Sequence, residues 1–575
     1  MQQLSGTDNV MLIGERGNVY NHVASLIIYD VTTAPEGKVR FKDILQHYEQ
    51  RLYLHPVFRR RLAEVPFSLD RPYWVAETDI DVEYHIRHIA LPKPGDWRQL
   101  MIQVARLHSR PLDRAHPLWE AYVIEGLDNI PKLPPGAFAV FLKIHHAIVD
   151  GMAAVHLTRQ MHDRTPERVP AEETPRVVVG DREPSAYEFV SRSLTNQVER
   201  AGKLARMAGS IAGRALAAGR EHLPQIAEGD LSGIARKISD AVPPAAPETR
   251  FSAAITTNRV VEGFGMPFSR IRRIRAKVPG STLNDVFIAV AGGAVRRYLS
   301  SKGELPDRSL TALMPISLRS DASSGGNDVA GVPVSVCSDV ADPIERLRAA
   351  HMAARAGKQQ GETMGLDLLK NLLDVLPPFA ANTVFTKALV SRINMTVSNV
   401  RGPDEAMYLA GAKAMCFYPV SIPVDGCGLN FTGVSYNGVM WVSMVSCRGM
   451  VPDPGHMLEC MQGAWEELLA AADALPDPAA EVAEPPPAVR RRGGGARRAS
   501  ARRPAKARTP RKAPRPRGAW EELLAAADAL PDPAAETAEP VPAAVKRRGG
   551  AARRAPARRP AKARKPRKAP RPRGA

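Results

Sequence analysis

Residues 138–151 read FAVFLKIHHAIVDG, and this stretch decides how the rest of the chain is interpreted. An apolar run typical of a buried strand leads directly into His145 and His146, and Asp150 and Gly151 follow in a tight turn. The chain has 14 His and 43 Gly among its 575 residues, so chance would give the spacing H-H-x-x-x-D-G in roughly one such chain in a thousand. The pattern therefore indicates a site with a chemical role.

Histidine suits proton transfer near neutral pH because its ordinary pKa is about 6.5. Adjacent strand residues point to opposite faces of a sheet, so we expect one imidazole of the pair to face a cleft and the other to pack. Opposite faces also disfavour a shared metal ion, and no third His or Cys lies close by, so we predict no metal site. Two partly buried structural histidines are the alternative.

Strand and helix patterns alternate on both sides of this stretch. Before it, residues 22–29 predict a strand and residues 41–54 an amphipathic helix. After it, the sequence predicts a helix at 283–299, strands near 310–315 and 331–337, a helix at 343–358, a hairpin that turns at Asn437-Gly438, and a closing helix whose apolar face carries Trp465, Leu468, Leu469, Ala472 and Leu475. The predicted fold class is therefore α/β, in two halves.

These patterns divide the chain into four segments. Residues 1–183 form the first α/β half and residues 249–476 the second. Residues 184–248, rich in Ala, Arg, Lys and Glu with helical spacing, predict a helical crossover between the halves. Residues 477–575 are low-complexity Ala, Arg, Pro and Lys sequence, which predicts a disordered tail.

The composition excludes several classes of protein. Hydrophobic residues make up 44% and charged residues 24% of the chain, which is typical of a soluble globular protein. Five Cys without a C-x-x-C pair indicate neither a disulfide framework nor a thiolate zinc site, and favour a reducing compartment. The longest apolar run is too short and too interrupted to span a bilayer, and residues 1–10 do not resemble a secretory signal. We therefore expect a cytoplasmic protein whose membrane contact is peripheral, on the inner membrane face or on lipid droplets.

The net charge of +19 comes from the tail, because residues 485–575 contain 27 Lys and Arg against 6 Asp and Glu. The tail also contains a duplication, in which the sequence of residues 463–481 recurs at 518–536. A basic disordered segment can bind anionic lipid headgroups or nucleic-acid phosphates. Trp520 is the only aromatic residue after Trp465, so base stacking is not indicated and nucleic acid is the less favoured partner. A solubilising extension without a partner is the alternative.

The histidine motif resembles the active-site signature of the CoA-dependent acyltransferase superfamily. Pro117-Leu118-Trp119 and Asn284-Asp285 are similar to the PLW and ND elements of one bacterial branch, the wax ester synthase/acyl-CoA:diacylglycerol acyltransferase family. Other stretches similar to landmarks of that family lie at residues 4–8, 398–403 and 435–438. The resemblance therefore covers about residues 4–470.

The resemblance implies both a fold and a reaction. The fold would be two similar halves, each a mixed sheet flanked by helices, with the active site in a tunnel between them. His146 would be the general base that takes the proton of an acceptor hydroxyl, Asp150 would be structural, and His145 and Gly151 would shape the loop. The acceptor would be diacylglycerol or a long-chain alcohol, with acyl-CoA as co-substrate and no further cofactor. Arg401 departs from the family pattern, which leads us to expect a second Pro there.

Other patterns bear on the reaction. No G-x-S-x-G elbow, Walker loop or complete G-x-G-x-x-G occurs, so a Ser nucleophile and a nucleotide cofactor lack support. Asn284, Asp285 and Ser398 are candidates for contacts with the substrate or its oxyanion. A helix cap at Asn284-Asp285 and a turn at Ser398-Asn399 are the alternatives. We expect Trp119 to pack at the boundary between the halves.

Two other functions stay open at this point. The first is acyl transfer to the hydroxyl of another lipid or of a polyketide. The second is membrane or nucleic-acid binding through the tail, by a protein whose acyltransferase-like body is inactive.

Overall fold

Strand Phe138–His145 lies inside a sheet to which the described residues contribute six strands, as its apolar run predicts. It pairs antiparallel with His22–Asp30 on one side and with Trp119–Glu125 on the other, and every residue of it is buried. The computed structural model describes residues 1–52, 55–149, 151–167, 180–203, 205–206, 245–317, 329–363 and 392–476. All of these residues belong to one compact unit, Met1–Pro486.

Three parts of the sequence-based prediction lie outside the described residues. These are Asp150, residues 207–244 of the predicted crossover, and the whole predicted tail, residues 477–575. Within the range predicted as a crossover, the described residues 186–203 are helical.

The elements follow one another in mixed order along the chain. The strands are β1 (Gln2–Gln3), β2 (His22–Asp30), β3 (Arg60–Ala63), β4 (Tyr73–Ala76), β5 (Ile86–Ala90), β6 (Trp119–Glu125), β7 (Phe138–His145), β8 (Arg259–Pro267), β9 (Thr311–Ser317), β10 (Val329–Ser335), β11 (Met395–Val400), β12 (Tyr408–Leu409), β13 (Ala412–Val420), β14 (Leu429–Tyr436) and β15 (Val439–Cys447). The helices are α1 (Gly6–Ile13), α2 (Phe41–Leu52), α3 (Val82–His85), α4 (Trp97–His108), α5 (Gly151–Gln160), α6 (186–203), α7 (Phe268–Lys277), α8 (Leu283–Ser301), α9 (Pro343–Thr363) and α10 (Pro454–Asp473).

In the described part of the chain, the strands form two large mixed sheets and one small sheet. The first sheet has the order β12-β13-β2-β7-β6-β5, and the second has the order β10-β9-β11-β14-β15-β8. Parallel pairing occurs between β5 and β6 and between β11 and each of its neighbours, and the other pairs are antiparallel. The small sheet has the order β1-β4-β3. Mixed sheets with helices confirm the predicted α/β class.

The first sheet crosses the boundary that the sequence suggests between the halves. Strand β13 pairs antiparallel with β2, from Lys413 opposite Asp30 to Val420 opposite Ala24. Residues 408–420 therefore complete the sheet of the first half, although the sequence pattern groups them with 249–476. Local periodicity indicates that a segment is a strand but carries no information about its distant partner, so this exchange was not predictable.

The second sheet contains the predicted hairpin. Strands β14 and β15 pair from Asn430 opposite Val445 to Tyr436 opposite Val439. Asn437 and Gly438 connect them with φ angles of 47° and 79°. A turn with positive φ at both central residues matches the twist of the strands, and Asn-Gly is the pair that accepts it most readily.

Helices α8, α9 and α10 pack together beside the second sheet. Thr282 caps α8: its side chain accepts a hydrogen bond from the Asp285 N–H, and the Asp285 carboxylate accepts one from the Thr282 N–H. The apolar face predicted for the closing helix is buried at Trp465, Leu468, Leu469 and Ala472. The described part of the chain thus ends with a helix packed on the core.

We predict that Gly292→Ala destabilises the fold. A Cβ at position 292 of α8 would lie 1.9 Å from the Val336 carbonyl oxygen, and backbone there has to shift. Forcing an extra methyl into a packed interior costs about 1 to 3 kcal/mol of unfolding free energy. The matched control is Gly455→Ala in α10, where a Cβ meets nothing within 4 Å. Chemical denaturation of both variants tests this, and equal unfolding midpoints would contradict the close packing at Gly292.

Candidate active site

The alternation of β7 divides its side chains between two environments. Leu142, Ile144 and His146 line a cavity of about 280 Å³. Lys143 and His145, on the intervening positions, are buried away from that cavity. The two histidines of the motif therefore lie in different surroundings, and His146 is the one with access to a ligand.

Both halves of the chain contribute to this cavity. Residues 23–25, 142–158 and 315–434 supply the lining, which consists of Val23, Ala24, Ser25, Leu142, Ile144, His146, Met152, Ala154, Val155, Thr158, Pro315, Ser398, Asn399, Val400, Phe417, Pro419, Val420, Ser421, Thr432 and Val434. Most of these side chains are apolar, which suits a hydrocarbon chain. Within the described part of the lining, His146 is the only titratable side chain.

The backbone around His146 is held on both sides. The His146 N–H donates to the Asn21 carbonyl oxygen at 2.8 Å, and the Ile148 N–H donates to the His145 carbonyl oxygen at 3.0 Å. The second bond closes a turn immediately after β7. Helix α5 then begins at Gly151 and carries Ala154, Val155 and Thr158 into the cavity wall.

One ring nitrogen of His145 is hydrogen-bonded to the backbone and the other faces a carboxylate. Its Nδ1 accepts a hydrogen bond from the Ala147 N–H at 3.0 Å, so the neutral ring carries its proton on Nε2. That Nε2 lies 3.2 Å from Oε1 of Glu15. The sequence offers no signal for Glu15, which lies 130 positions away from its partner and outside every motif.

The PLW element supports the end of β7. The His145 N–H donates to the Leu118 carbonyl oxygen at 3.0 Å. Trp119 is 1% exposed, its Nε1 donates to the Phe58 carbonyl oxygen at 2.9 Å, and its ring stacks on His85 with centroids 4.3 Å apart. Trp119 therefore packs, as predicted, but inside the first half rather than at the boundary, because Phe58 and His85 flank it there.

The face of the first sheet behind the cavity carries a buried charge pair. Lys143 is fully buried, and its Nζ lies 3.2 Å from Oε2 of Glu120, which also accepts the Tyr122 hydroxyl at 2.8 Å. Burial lowers the pKa of Lys143, and Glu120 opposes that shift. Burial likewise lowers the pKa of His108 to about 3, so this neighbour is neutral.

Of the candidates for substrate contacts, Ser398 lines the cavity together with Asn399. Both lie in β11, where Ser398 pairs with Thr432 of β14, so the turn considered for Ser398-Asn399 is wrong. The parallel pairing between β11 and β14 continues to Val400. The neighbouring Arg401 is exposed and forms an ion pair with Asp404 at 2.9 Å, outside the cavity wall.

Asn284 and Asp285 lie in the first turn of α8 and are not among the cavity-lining residues. The Asn284 Nδ2 contacts Met314 Sδ at 3.3 Å. Asp285 takes part in the helix cap, as the alternative interpretation predicts, and its Oδ2 also lies 2.8 Å from Nδ1 of His351. The structure thus brings Ser398 to His146 and leaves Asn284 and Asp285 outside.

No group of three or more His, Cys, Asp or Glu side chains among the described residues is arranged to hold a metal ion. None of the helices in the described ranges combines the length and apolar character needed to cross a bilayer. All five cysteines are buried and unbridged.

Comparison with known proteins now places the chain in a family. The model of the wax ester synthase/diacylglycerol acyltransferase catalytic domain matches residues 4–287, and that of the WS/DGAT C-terminal domain matches residues 325–469. The chain belongs to this family, whose members are acyltransferases.

Individual relatives support the assignment. A candidate diacylglycerol O-acyltransferase of Mycobacterium tuberculosis (strain H37Rv) is 31% identical over 476 residues, which is 81% of this chain and 99% of that protein. The wax ester synthase/diacylglycerol acyltransferase of Marinobacter aquaeolei VT8 superposes with a TM-score of 0.56 at 26% identity, covering 82% of this chain and all of that one. A trichothecene 15-O-acetyltransferase of Fusarium sporotrichioides, at 10% identity and a TM-score of 0.51, shares the fold.

Proposed function

We propose that the protein transfers a fatty acyl group from acyl-CoA to the free hydroxyl of diacylglycerol, forming triacylglycerol. The observation that carries the proposal is the position of His146, the one titratable side chain among the described residues that line a mainly apolar cavity built from both halves. A base at the wall of an apolar cavity suits a reaction between a hydroxyl and the thioester of a long hydrocarbon chain.

In the proposed mechanism, His146 removes the proton of the acceptor hydroxyl as its oxygen attacks the thioester carbonyl. The tetrahedral intermediate then collapses, the carbon–sulfur bond breaks, and the CoA thiolate takes the proton from His146. No acyl-enzyme forms. Ser398, on the same cavity wall, is our candidate for a donor to the oxyanion, because a hydroxyl aimed at developing negative charge lowers the barrier.

A long-chain alcohol is a second candidate acceptor, which would yield a wax ester. The description of the matching family and of the Marinobacter relative names both activities. The relatives from Mycobacterium tuberculosis are named for diacylglycerol. We therefore place diacylglycerol first.

The acceptor is identified by presenting both to the purified protein. Full-length protein is incubated with a long-chain acyl-CoA and either diacylglycerol or a long-chain alcohol, and the neutral lipid products are quantified. We expect triacylglycerol at the higher rate. Faster wax ester formation would show that the long-chain alcohol is the preferred acceptor. No product with either acceptor would mean that the protein uses another hydroxyl acceptor or that its acyltransferase-like body is inactive.

A further prediction concerns the cavity itself. Ala154→Phe places a ring in the cavity wall, so kcat/KM with a long-chain acyl-CoA should fall by about tenfold or more, since the space for the chain is lost. Gln160→Phe, on the exposed side of the same helix, is the control and should retain activity. An unchanged kcat/KM with the long-chain acyl-CoA in the Ala154→Phe variant would show that this cavity does not hold the acyl chain.

A further inference from the structure

Glu15 lies two residues beyond the end of α1, and its carboxylate joins distant parts of the first half. Its Oε1 accepts the Asn21 N–H at 2.8 Å and lies 3.2 Å from Nε2 of His145. Its Oε2 accepts Nη2 of Arg114 at 2.9 Å. One side chain thus connects the loop before β2, the segment before β6 and the end of β7.

Through Asn21 and His145, Glu15 is connected to the peptide groups on both sides of the His146 side chain. Asn21, whose N–H is bound by Glu15, accepts the His146 N–H through its carbonyl oxygen. His145, whose ring lies against Glu15, accepts the Ala147 N–H through Nδ1. Glu15 therefore contacts both groups that bind the backbone on either side of the His146 side chain.

Electrostatic attraction, rather than the direction of a hydrogen bond, links Glu15 to His145. Burial opposes ionisation of Glu15, but the contacts with His145, Arg114 and Asn21 outweigh it and hold the pKa of Glu15 below its ordinary value. The carboxylate is therefore anionic at neutral pH. The Nε2–H of His145 lies close to this carboxylate without the direction of a good hydrogen bond, so the contact depends on attraction between the negative charge and that N–H.

We propose that Glu15 is a positioning residue of the active site, whose charge orients His145 and, through it and Asn21, the turn that presents His146 to the cavity. The inference rests on the proposed function only in giving His146 the role of the base. The orientation of the turn itself is independent of which acceptor reacts.

The test compares Glu15→Gln with Glu64→Gln. Glutamine at position 15 keeps an oxygen for the Asn21 N–H but removes the charge that faces His145. Glu64 is an exposed carboxylate 3.9 Å from the same Arg114, so its replacement removes an equal charge without touching the histidines. We expect kcat of Glu15→Gln to fall between about tenfold and a hundredfold, as misplacement of a catalytic group does. KM should stay within about twofold, because the cavity wall is unchanged, and Glu64→Gln should behave as wild type.

A second readout does not need turnover. Diethyl pyrocarbonate modifies accessible neutral imidazoles, and peptide-resolved mass spectrometry measures the rate at each histidine. In Glu15→Gln we expect modification of His145 and His146 to accelerate by about threefold or more, because the turn opens locally. The rate at His88, which is 39% exposed and pairs with Glu125, should stay constant and serves as the internal reference.

The two readouts separate the possible failures. If wild type transfers no acyl group to either acceptor, the proposed function fails, while the modification rates still decide the role of Glu15. Unchanged rates at both histidines, or a raised KM with unchanged kcat, would overturn the inference. If Glu15→Gln does not fold, Arg114→Gln is tested in its place. This variant removes a hydrogen bond to the Glu15 carboxylate but keeps its charge. We then expect a smaller acceleration at His145 and His146, and no acceleration would count against the proposal.

Discussion

The His146→Ala variant is expected to lose between about a hundredfold and ten-thousandfold in turnover, the usual contribution of a general base. Among the described residues of the cavity wall His146 is the titratable one, and its replacement removes the imidazole that would take the hydroxyl proton. The loss should appear in kcat with diacylglycerol and with a long-chain alcohol alike, because both acceptors need the same deprotonation. Initial rates at saturating acyl-CoA measure it.

His156→Ala is the matched control for this prediction. His156 is exposed on α5 and does not line the cavity, so this variant should retain the wild-type rate. Circular dichroism of both variants shows whether the fold is kept. A folded His146→Ala variant with more than about a tenth of the wild-type kcat would be inconsistent with proton removal by His146.

Glu120→Ala is expected to cost about 3 to 5 kcal/mol of unfolding free energy, the largest stability effect among our predictions. The substitution leaves the fully buried Lys143 without its carboxylate and removes the acceptor of the Tyr122 hydroxyl. The alternative for Lys143 is to lose its proton inside the fold, which also costs free energy. Denaturant unfolding, followed by tryptophan fluorescence, measures the effect.

Two further variants test whether the lost stability comes from the buried charge pair. Glu125→Ala removes an exposed carboxylate at the end of the same strand, paired with His88, and should cost no more than about 1 kcal/mol. The double variant Glu120→Leu/Lys143→Met replaces the pair by apolar side chains and should recover most of the lost stability. If Glu120→Ala unfolds at the same denaturant concentration as Glu125→Ala, the pair does not contribute as we argue.

The sequence predicted those parts of the fold that local patterns determine. The apolar run before His145 became β7, Asn437-Gly438 became the hairpin turn, and the face of Trp465 became the buried side of α10. Each of these follows from period, turn chemistry or amphipathicity within a short window. The pairing of β13 with β2 joins residues almost four hundred positions apart, and no local pattern encodes it.

The candidate site was predictable to a similar extent. The motif identified the histidines, and the alternation of strand residues predicted that their surroundings differ. Ser398-Asn399 resembled a turn because small polar residues precede Gly402-Pro403, but pairing with β14 keeps them extended. Glu15 escaped prediction because a single carboxylate acquires meaning only through its neighbours in space. The roles of Asp150 and of the basic tail stay predictions.

We infer that acyl transfer from acyl-CoA to a hydroxyl takes place in the cavity at His146. The most direct measurement follows CoA release and ester formation together, in wild type and His146→Ala, with diacylglycerol as acceptor. We predict one ester formed for each CoA released by wild type, and a rate at least about a hundredfold lower in the variant. CoA release without ester, or equal rates in the two proteins, would contradict the claim.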